Sequence, residues 1–317
     1  MKALTATGVP ARTVEFTEVA EPAAGPSEAV VEVDAFSVNR GEGFSLTGVY
    51  GAPAERGWLP GQDVAGRVVR AAEDGSGPSA GQRVVGHPDS GGWAERVAVP
   101  TSRLAVLPDQ VSAVAAAALP LAGLTALRLL RDAGALTGRR ILLTGASGGV
   151  GHFLTELAAA GGAEITAVTA SPERGQKLSV LGAARVVQDL ADAQGPFEVV
   201  LESVGGETFT AALALLAPGG VVLWYGQASL DPVTLSFFDL LGVTPLTIKH
   251  FPHWVSGTTD GEDLETLVDL VAAGNLHPEI GRTADWAETA SVLDDLARRR
   301  IRGNAVLTLT AAQAATA

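Results

Sequence analysis

The residues best placed to do chemistry are Thr144-Gly145-Ala146-Ser147-Gly148-Gly149-Val150-Gly151. Apolar Ile141-Leu142-Leu143 precedes them and the helical run Val150–Ala160 follows, so the glycines fall on a strand-to-helix turn. In that setting Gly148 lets the backbone approach a pyrophosphate, and Gly151 lets the helix pack closely on the strand. The helix N-terminus offers free N–H groups and a positive dipole end to phosphates. Ala146 stands where many dinucleotide sites have their first glycine, an acceptable change if its φ stays negative. Ala146, Ser147, Gly148, Gly149 and Val150 are therefore candidate cofactor contacts; the plainer alternative is a tight turn without a ligand.

The next strand should select the cofactor. NAD sites place an Asp or Glu about 20 residues after the glycines to hold the ribose hydroxyls. Here the segment reads Val168-Thr169-Ala170-Ser171-Pro172-Glu173-Arg174, and its carboxylate, Glu173, comes after the proline and points into the helix start. Ser171 and Arg174 offer a hydroxyl and a guanidinium suited to a 2′-phosphate, which favours NADPH, although Arg174 also reads as a solvated first-turn residue. Tyr225-Gly226-Gln227, at the end of a fifth strand, is a further cofactor candidate. His250, Phe251 and His253 are substrate-pocket candidates, set against the plainer reading of structural residues; His87 and His152 read as structural.

These groups need a scaffold. The chain has 317 residues, 47% of them hydrophobic, enough for two domains that each bury a core. Glycine and proline punctuate the first third, with short β-rich runs at Ala29–Ala35, Val64–Val69, Arg83–Gly86 and Ala94–Val99, an irregular and largely antiparallel β-domain. Helices are expected at Ala115–Leu119 and Leu121–Leu130, interrupted at Pro120. Beyond Leu136 strands at Ile141–Leu143, Glu164–Val168, Arg185–Val187, Phe197–Leu201 and Gly220–Trp224 alternate with helices at Val150–Ala160, Pro172–Leu181 and Phe209–Leu216. That alternation predicts a doubly wound parallel sheet. Leu264–Ala273 and Asp285–Arg299 follow, then a strand at Ala305–Leu309 and an alanine-rich tail after Thr310 that is expected to fray.

Composition removes several functions. No cysteine is present, so disulfides, thiolate catalysis and sulfur-liganded zinc are excluded. A net charge of -13 opposes nucleic acid as a partner. The longest uncharged stretch, Val111–Leu127, is broken by Pro120 and Gly123 and too short for a membrane span, and the N-terminus lacks an apolar signal core. A soluble, cytoplasmic protein acting on a small molecule is expected.

In this order, Val38-Asn39-Arg40-Gly41-Glu42, Leu59-Pro60-Gly61-Gln62-Asp63-Val64-Ala65-Gly66, Gly81–Gly86, Gly91-Gly92-Trp93-Ala94-Glu95, Leu119-Pro120 with Gly123-Leu124-Thr125-Ala126, the glycine turn, Gly182-Ala183 and Val204-Gly205-Gly206 give the chain a recognisable signature. It resembles the zinc-independent quinone oxidoreductase (ζ-crystallin-like) branch of the medium-chain dehydrogenase/reductase superfamily, from Val31 to about Leu309. The resemblance implies a GroES-like catalytic domain at 1–120 with 260–317, a Rossmann domain inserted at 121–259, an active-site cleft between them and a homodimer. Zinc-dependent relatives carry metal ligands where this chain has Asn39 and Gly61-Gln62-Asp63, a poor tetrahedral set, so no metal is expected. By the same resemblance Asn39 is a cleft residue for the nicotinamide ribose or substrate oxygen, or else a turn cap. Tyr50 is a catalytic or substrate-contacting phenol, or else an exposed turn aromatic. Thr125 lies near the nicotinamide, or else faces the core.

Two departures from the family bear on cofactor affinity. A tyrosine position reads Val187-Gln188-Asp189, and a late Gly-Lys pair reads Gly303-Asn304, with Arg300 and Arg302 nearby. A carboxylate at Asp189 weakens 2′-phosphate binding if it points inward. The implied activity is NADPH-dependent hydride transfer to a quinone or an α,β-unsaturated carbonyl. Alternatives are an NADP(H)-binding protein of the same fold without redox turnover, such as a cyclase, or an enoyl-thioester reductase.

Overall fold

Lys2–Val9 (β1) and Arg12–Glu18 (β2) pair as an antiparallel hairpin in the computed structural model, which describes residues 1–243 and 245–309. The sequence hides this hairpin because β2 buries only Val14 among polar neighbours. Glu28–Val38 (β3) is the opposite case: every side chain from Ala29 to Val38 except Glu32 and Asp34 is buried. A strand covered on both faces belongs at the centre of a sheet. Arg40–Thr47 (α1) follows, a helix that its two glycines conceal, held by Asn39 as N-cap and ended by Gly48 at φ 83°.

Val64–Arg70 (β4), Arg83–Gly86 (β5), Arg96–Pro100 (β6) and Leu104–Val106 (β7) come next, then Ala113–Ala117 (α2) and Pro120–Ala133 (α3). Pro120 opens α3 instead of merely interrupting it, as the first helical position tolerates a missing N–H. At the C-terminal end lie Ile280–Asp285 (β14), Thr289–Ala297 (α8) and Asn304–Thr308 (β15), preceded by Asp260–Ala272 (α7). The helix expected over Asp285–Arg299 begins with a separate 3-10 turn at Trp286–Glu288. The large sheet runs β14-β15-β3-β4-β5-β7, with β6 also on β3. Its core centres on Trp93 and Phe36, stacked at 5.7 Å between centroids.

The middle of the chain is β8 (Arg140–Leu143), α4 (Gly149–Ala160), β9 (Glu164–Val168), α5 (Pro172–Val180), β10 (Arg185–Val187), β11 (Phe197–Glu202), α6 (Gly206–Leu213), β12 (Leu216–Trp224) and β13 (Thr247–His250). All neighbours are parallel, in the order β10-β9-β8-β11-β12-β13, the doubly wound arrangement. Leu216, expected to end a helix, instead starts β12 and pairs with Phe197. A short apolar run fits helix and strand equally, and here the ladder decides. The strand β13 went unread because Thr247, Lys249 and His250 give it no apolar face, and all its side chains are exposed. Phe197, Phe209, Leu213 and Val222 form the core on one face of this sheet.

By internal contacts the chain divides into Met1–Leu124 with the chain from Thr258 onward, and Thr125–Gly257, so the boundary falls inside α3. The tail after Thr310 lies outside the described residues.

Gly151 carries a decisive test of this packing. A Cβ there would strike the Ala146 carbonyl and stand 2.6 Å from the Ala146 Cα, all of it backbone. Gly151→Ala gains about 1 kcal/mol of helix propensity but overpacks by about 1–3 kcal/mol. A lowered denaturation midpoint is expected, and an unchanged or raised one contradicts the close approach.

Candidate active site

The glycine turn takes its positive φ at Gly145, 62°, so Ala146 keeps an ordinary backbone and its β-carbon costs nothing. A Cβ on Gly145 would stand 2.6 Å from Ser203 Oγ, and the positive φ there is one that favours glycine. Gly148 is the N-cap of α4 and brings no capping side chain, so the first N–H groups of the helix, from Gly149 and Val150 onward, are left for a ligand. Ser147 is buried, and Arg174 reaches it from the first turn of α5: Arg174 Nε donates to Ser147 Oγ at 3.0 Å. Ser171 stands at the N-cap position of α5 without a side-chain cap bond, and the Glu173 carboxylate turns back to its hydroxyl, which with Glu173's own amide holds the Glu173 pKa below its ordinary value. Asp189 spends its carboxylate on the Ala191 amide at 2.9 Å.

Tyr225, Gly226 and Gln227 follow β12 and lie against the loop after β11. The Tyr225 hydroxyl meets Ser203; burial, then the Glu202 charge, raises its pKa. Glu202, which sequence reasoning passed over, is fully buried and accepts from Thr144 Oγ1 at 3.0 Å and Val204 N at 2.8 Å. Its one readable signal is an acid closing the apolar run Val199-Val200-Leu201. Thr125 is buried on α3. Arg128, one turn on, is also buried and donates to the His253 carbonyl at 2.8 Å, holding a loop that the sequence left unanchored. Phe251 is buried, His250 is exposed on β13, and the His253 ring stands edge-on to Trp254 at 5.0 Å. His152 is buried at the start of α4, its Nδ1 at 2.9 Å from the Gly148 carbonyl.

In the unit containing Met1–Leu124, Asn39 and Tyr50 flank α1. Asp63 is fully buried and accepts from Ser37 Oγ, from Asn39 Nδ2 at 2.7 Å and from the Leu121 amide at 2.9 Å. His87 Nδ1 donates to the Gln62 carbonyl at 2.8 Å and lies 3.3 Å from Asp63. Burial opposes charge on His87, but the Asp63 carboxylate outweighs it and holds the pKa above its ordinary value. Asn39 is thus oriented, with Nδ2 turned to the carboxylate. Glu42 Oε2 accepts the Asn39 amide at 3.0 Å, while Oε1 is buried without a well-formed hydrogen bond. Burial first, then the nearby Asp63 charge, push the Glu42 pKa up to about 8.

Tyr50 is 71% exposed, its ring edge-on to Phe44 at 5.5 Å and its hydroxyl over Gly41. Partial burial of the hydroxyl, then the Glu42 charge, raise its pKa. It borders an open depression of ≈ 490 Å³ that Ser45, Glu55, Arg56 and Trp58 also line. Asn304 is buried in β15 and donates to the Glu279 carbonyl at 3.1 Å; Arg302 is paired with Glu279 and Arg300 with Asp295.

A strand–glycine turn–helix on a six-stranded parallel sheet, with a guanidinium brought to the turn, defines a dinucleotide-binding protein of the dehydrogenase type. Residues 25–109 match the family model "Alcohol dehydrogenase GroES-like domain", and residues 149–273 match "Zinc-binding dehydrogenase". The quinone oxidoreductase of Pseudomonas aeruginosa is 32% identical over 305 residues, covering 91% of this chain and 92% of its own. A mycobacterial protein solved in complex with NADPH aligns with a TM-score of 0.87 at 26% identity, over 97% of this chain and 100% of that one. The quinone oxidoreductase of Pseudomonas syringae pv. Tomato aligns with a TM-score of 0.84 at 28% identity, over 97% and 99%. The chain belongs to the quinone oxidoreductase branch of the medium-chain dehydrogenase/reductase superfamily.

The donor set does not fit the zinc that one family model names. Asn39 turns a donor, not a lone pair, towards Asp63, and the Asp63 oxygens are already taken by protein donors. Among the described residues no group of three or more His, Asp or Glu side chains could hold a metal ion.

Glu42 yields a signed pH dependence. Its folded pKa, about 8, exceeds the ordinary 4.5, so the folded state holds the proton more tightly. This stabilisation is complete below pH 4.5 and is lost as pH rises through 8, by about 1.4 kcal/mol per pH unit at most. In urea titrations at pH 5 and pH 8, Glu42→Gln should lose markedly less stability than the wild type. Parallel losses would refute the buried, protonated carboxyl.

Proposed function

We propose that this chain is an NADPH-dependent reductase of quinones or of alkenes conjugated to a carbonyl, working without a metal. The observation that carries the reading is Arg174, delivered by α5 to Ser147 on the glycine turn at 3.0 Å. A guanidinium at that point matches the extra phosphate of NADPH, and no carboxylate at the end of β9 is free to bind ribose hydroxyls, since Glu173 is drawn to Ser171. The uncapped start of α4, with the Gly149 and Val150 amides, would hold the pyrophosphate. Asp189 directs its carboxylate to the Ala191 amide at 2.9 Å.

NADPH, when bound, supplies the hydride. The chain's own residues orient the acceptor and manage the proton. With its pKa raised, Tyr50 stays protonated through neutral pH and serves as a proton donor to the carbon α to the carbonyl. Asn39, locked by Asp63, contacts the nicotinamide ribose or the substrate oxygen. A cytoplasmic homodimer is part of the proposal. Its support is the unpaired edge of β13, where Ile248 is exposed, and the exposed Phe237, Phe238 and Leu241. Replacing Ile248 with Lys should shift the sedimentation coefficient towards monomer; an unchanged value would place the interface elsewhere.

Following NADPH absorbance with a 1,4-quinone and a simple enone tests the reaction. Oxidation well above the uncatalysed rate, and at least tenfold faster than with NADH, is expected. Arg174→Leu should erase most of that preference, a loss of about 1.5–3 kcal/mol for a charged hydrogen bond. Tyr50→Phe should lower kcat for the enone by about 10²-fold and affect the quinone less, because water can protonate the quinol oxygen. NADPH binding without turnover of either acceptor would favour the non-redox alternative.

A further inference from the structure

Glu202 has no part in the reaction proposed above, yet burying its carboxylate is costly unless donors surround it. We infer that Glu202 is a positioning residue for the nicotinamide half of the dinucleotide: it ties the glycine turn to the loops after β11 and β12, and so sets the backbone that carries Tyr225, Gly226 and Gln227. The inference rests on the NADPH reading given above.

The connections run outward from the carboxylate. Oε1 accepts from Thr144 Oγ1 at 3.0 Å, from the Val204 amide at 2.8 Å and from the Gly205 amide at 3.1 Å, and Oε2 shares the Gly205 amide at 3.1 Å. Thr144 in turn accepts the Ser203 amide at 3.0 Å through its hydroxyl, which joins the end of β8 to the loop after β11. That loop is then sewn to the next one. Ala228 N donates to the Ser203 carbonyl and Ser229 N to the Val204 carbonyl, both at 2.8 Å, and the Tyr225 hydroxyl meets Ser203. Spacing is tight throughout: a Cβ on Gly145 would lie 2.6 Å from Ser203 Oγ, and one on Gly205 2.6 Å from Gln227 Cγ. A shift of Ser203 therefore moves both the glycine turn and the segment 225–227.

The sheet order assigns the half of the ligand affected. Ser171 and Arg174 follow β9, on one side of β8; the Glu202 loop and the segment 225–227 follow β11 and β12, on the other. Loosening the second group should leave the adenosine phosphate site intact.

Glu202→Gln keeps the shape but turns an N–H towards the Gly205 amide. Calorimetric titration with NADPH and with 2′,5′-ADP, which carries only the adenosine half, separates the possibilities. Glu202→Gln should bind NADPH about tenfold more weakly, the worth of one hydrogen bond, and 2′,5′-ADP within twofold of wild type. Without ligand, hydrogen exchange at the Val204 and Gly205 amides should quicken. Unchanged NADPH affinity, or equal weakening of both ligands, overturns the assignment. Ser203→Ala, which should show the same selective pattern more mildly, decides the matter if Glu202→Gln does not fold. A wild type that fails to bind NADPH overturns the cofactor reading and this inference together; wild-type binding that neither variant alters overturns this inference alone.

Discussion

A buried carboxylate is an expensive object, and Asp63 shows what this fold obtains from one. The side chain is removed from water entirely, and Ser37, Asn39 and the first turn of α3 all donate to it, with His87 beside it. Those groups come from β3, from the cap of α1, from the start of α3 and from the end of β5. Asp63 thereby fixes three separate stretches of chain around one point. Substituting a hydrophobe would leave the Leu121 amide and the Asn39 amide unsatisfied, a cost of about 1–3 kcal/mol each.

Charge placement around Asp63 also explains Glu42. Burial and a neighbouring carboxylate both disfavour a charged acid, and Glu42 meets both. Backbone amides, Asn39 among them, do reach the Glu42 carboxyl, but burial and the Asp63 charge outweigh them and raise its pKa. Asn39 lies between them, its backbone amide bonded to one acid and its side chain to the other. In the unit formed by Thr125–Gly257, Glu202 repeats the device with backbone amides as donors. In both units an acid that looks like a misplaced charge in the sequence is the anchor of a loop.

That difference between appearance and role marks what the sequence disclosed. The parallel sheet was legible because Ile141–Leu143, Glu164–Val168 and Arg185–Val187 are apolar runs bounded by turns, and the ladders form where the pattern put them. The glycine turn was legible because close approach leaves glycine no substitute at Gly151. The elements α1 and β13 were not, because propensity and periodicity describe neither: α1 is held by its cap, and β13 by pairing along Val221–Trp224. Asp63 appeared in the sequence only as an inadequate metal ligand, and Glu202 not at all. A side chain whose value lies in gathering amides from distant segments leaves no local pattern to read.

An acidic chain must supply positive potential locally to hold a polyanion. At -13 the summed field disfavours a dinucleotide carrying several phosphates, but that field is screened over about 8 Å at physiological ionic strength. What matters is the charge within that distance of the glycine turn. At the turn itself Arg174 donates to Ser147 Oγ and no capping side chain covers the first α4 amides, while Glu173 turns to Ser171 and Asp189 to the Ala191 amide. What the turn offers a phosphate is a guanidinium and helix amides, local donors within a chain of net negative charge. A hydrogen-bonded carboxylate keeps its charge, so Glu173 and Asp189 direct lone pairs elsewhere without being neutralised, and the cofactor preference proposed for this chain depends on Arg174 lying in contact with the turn.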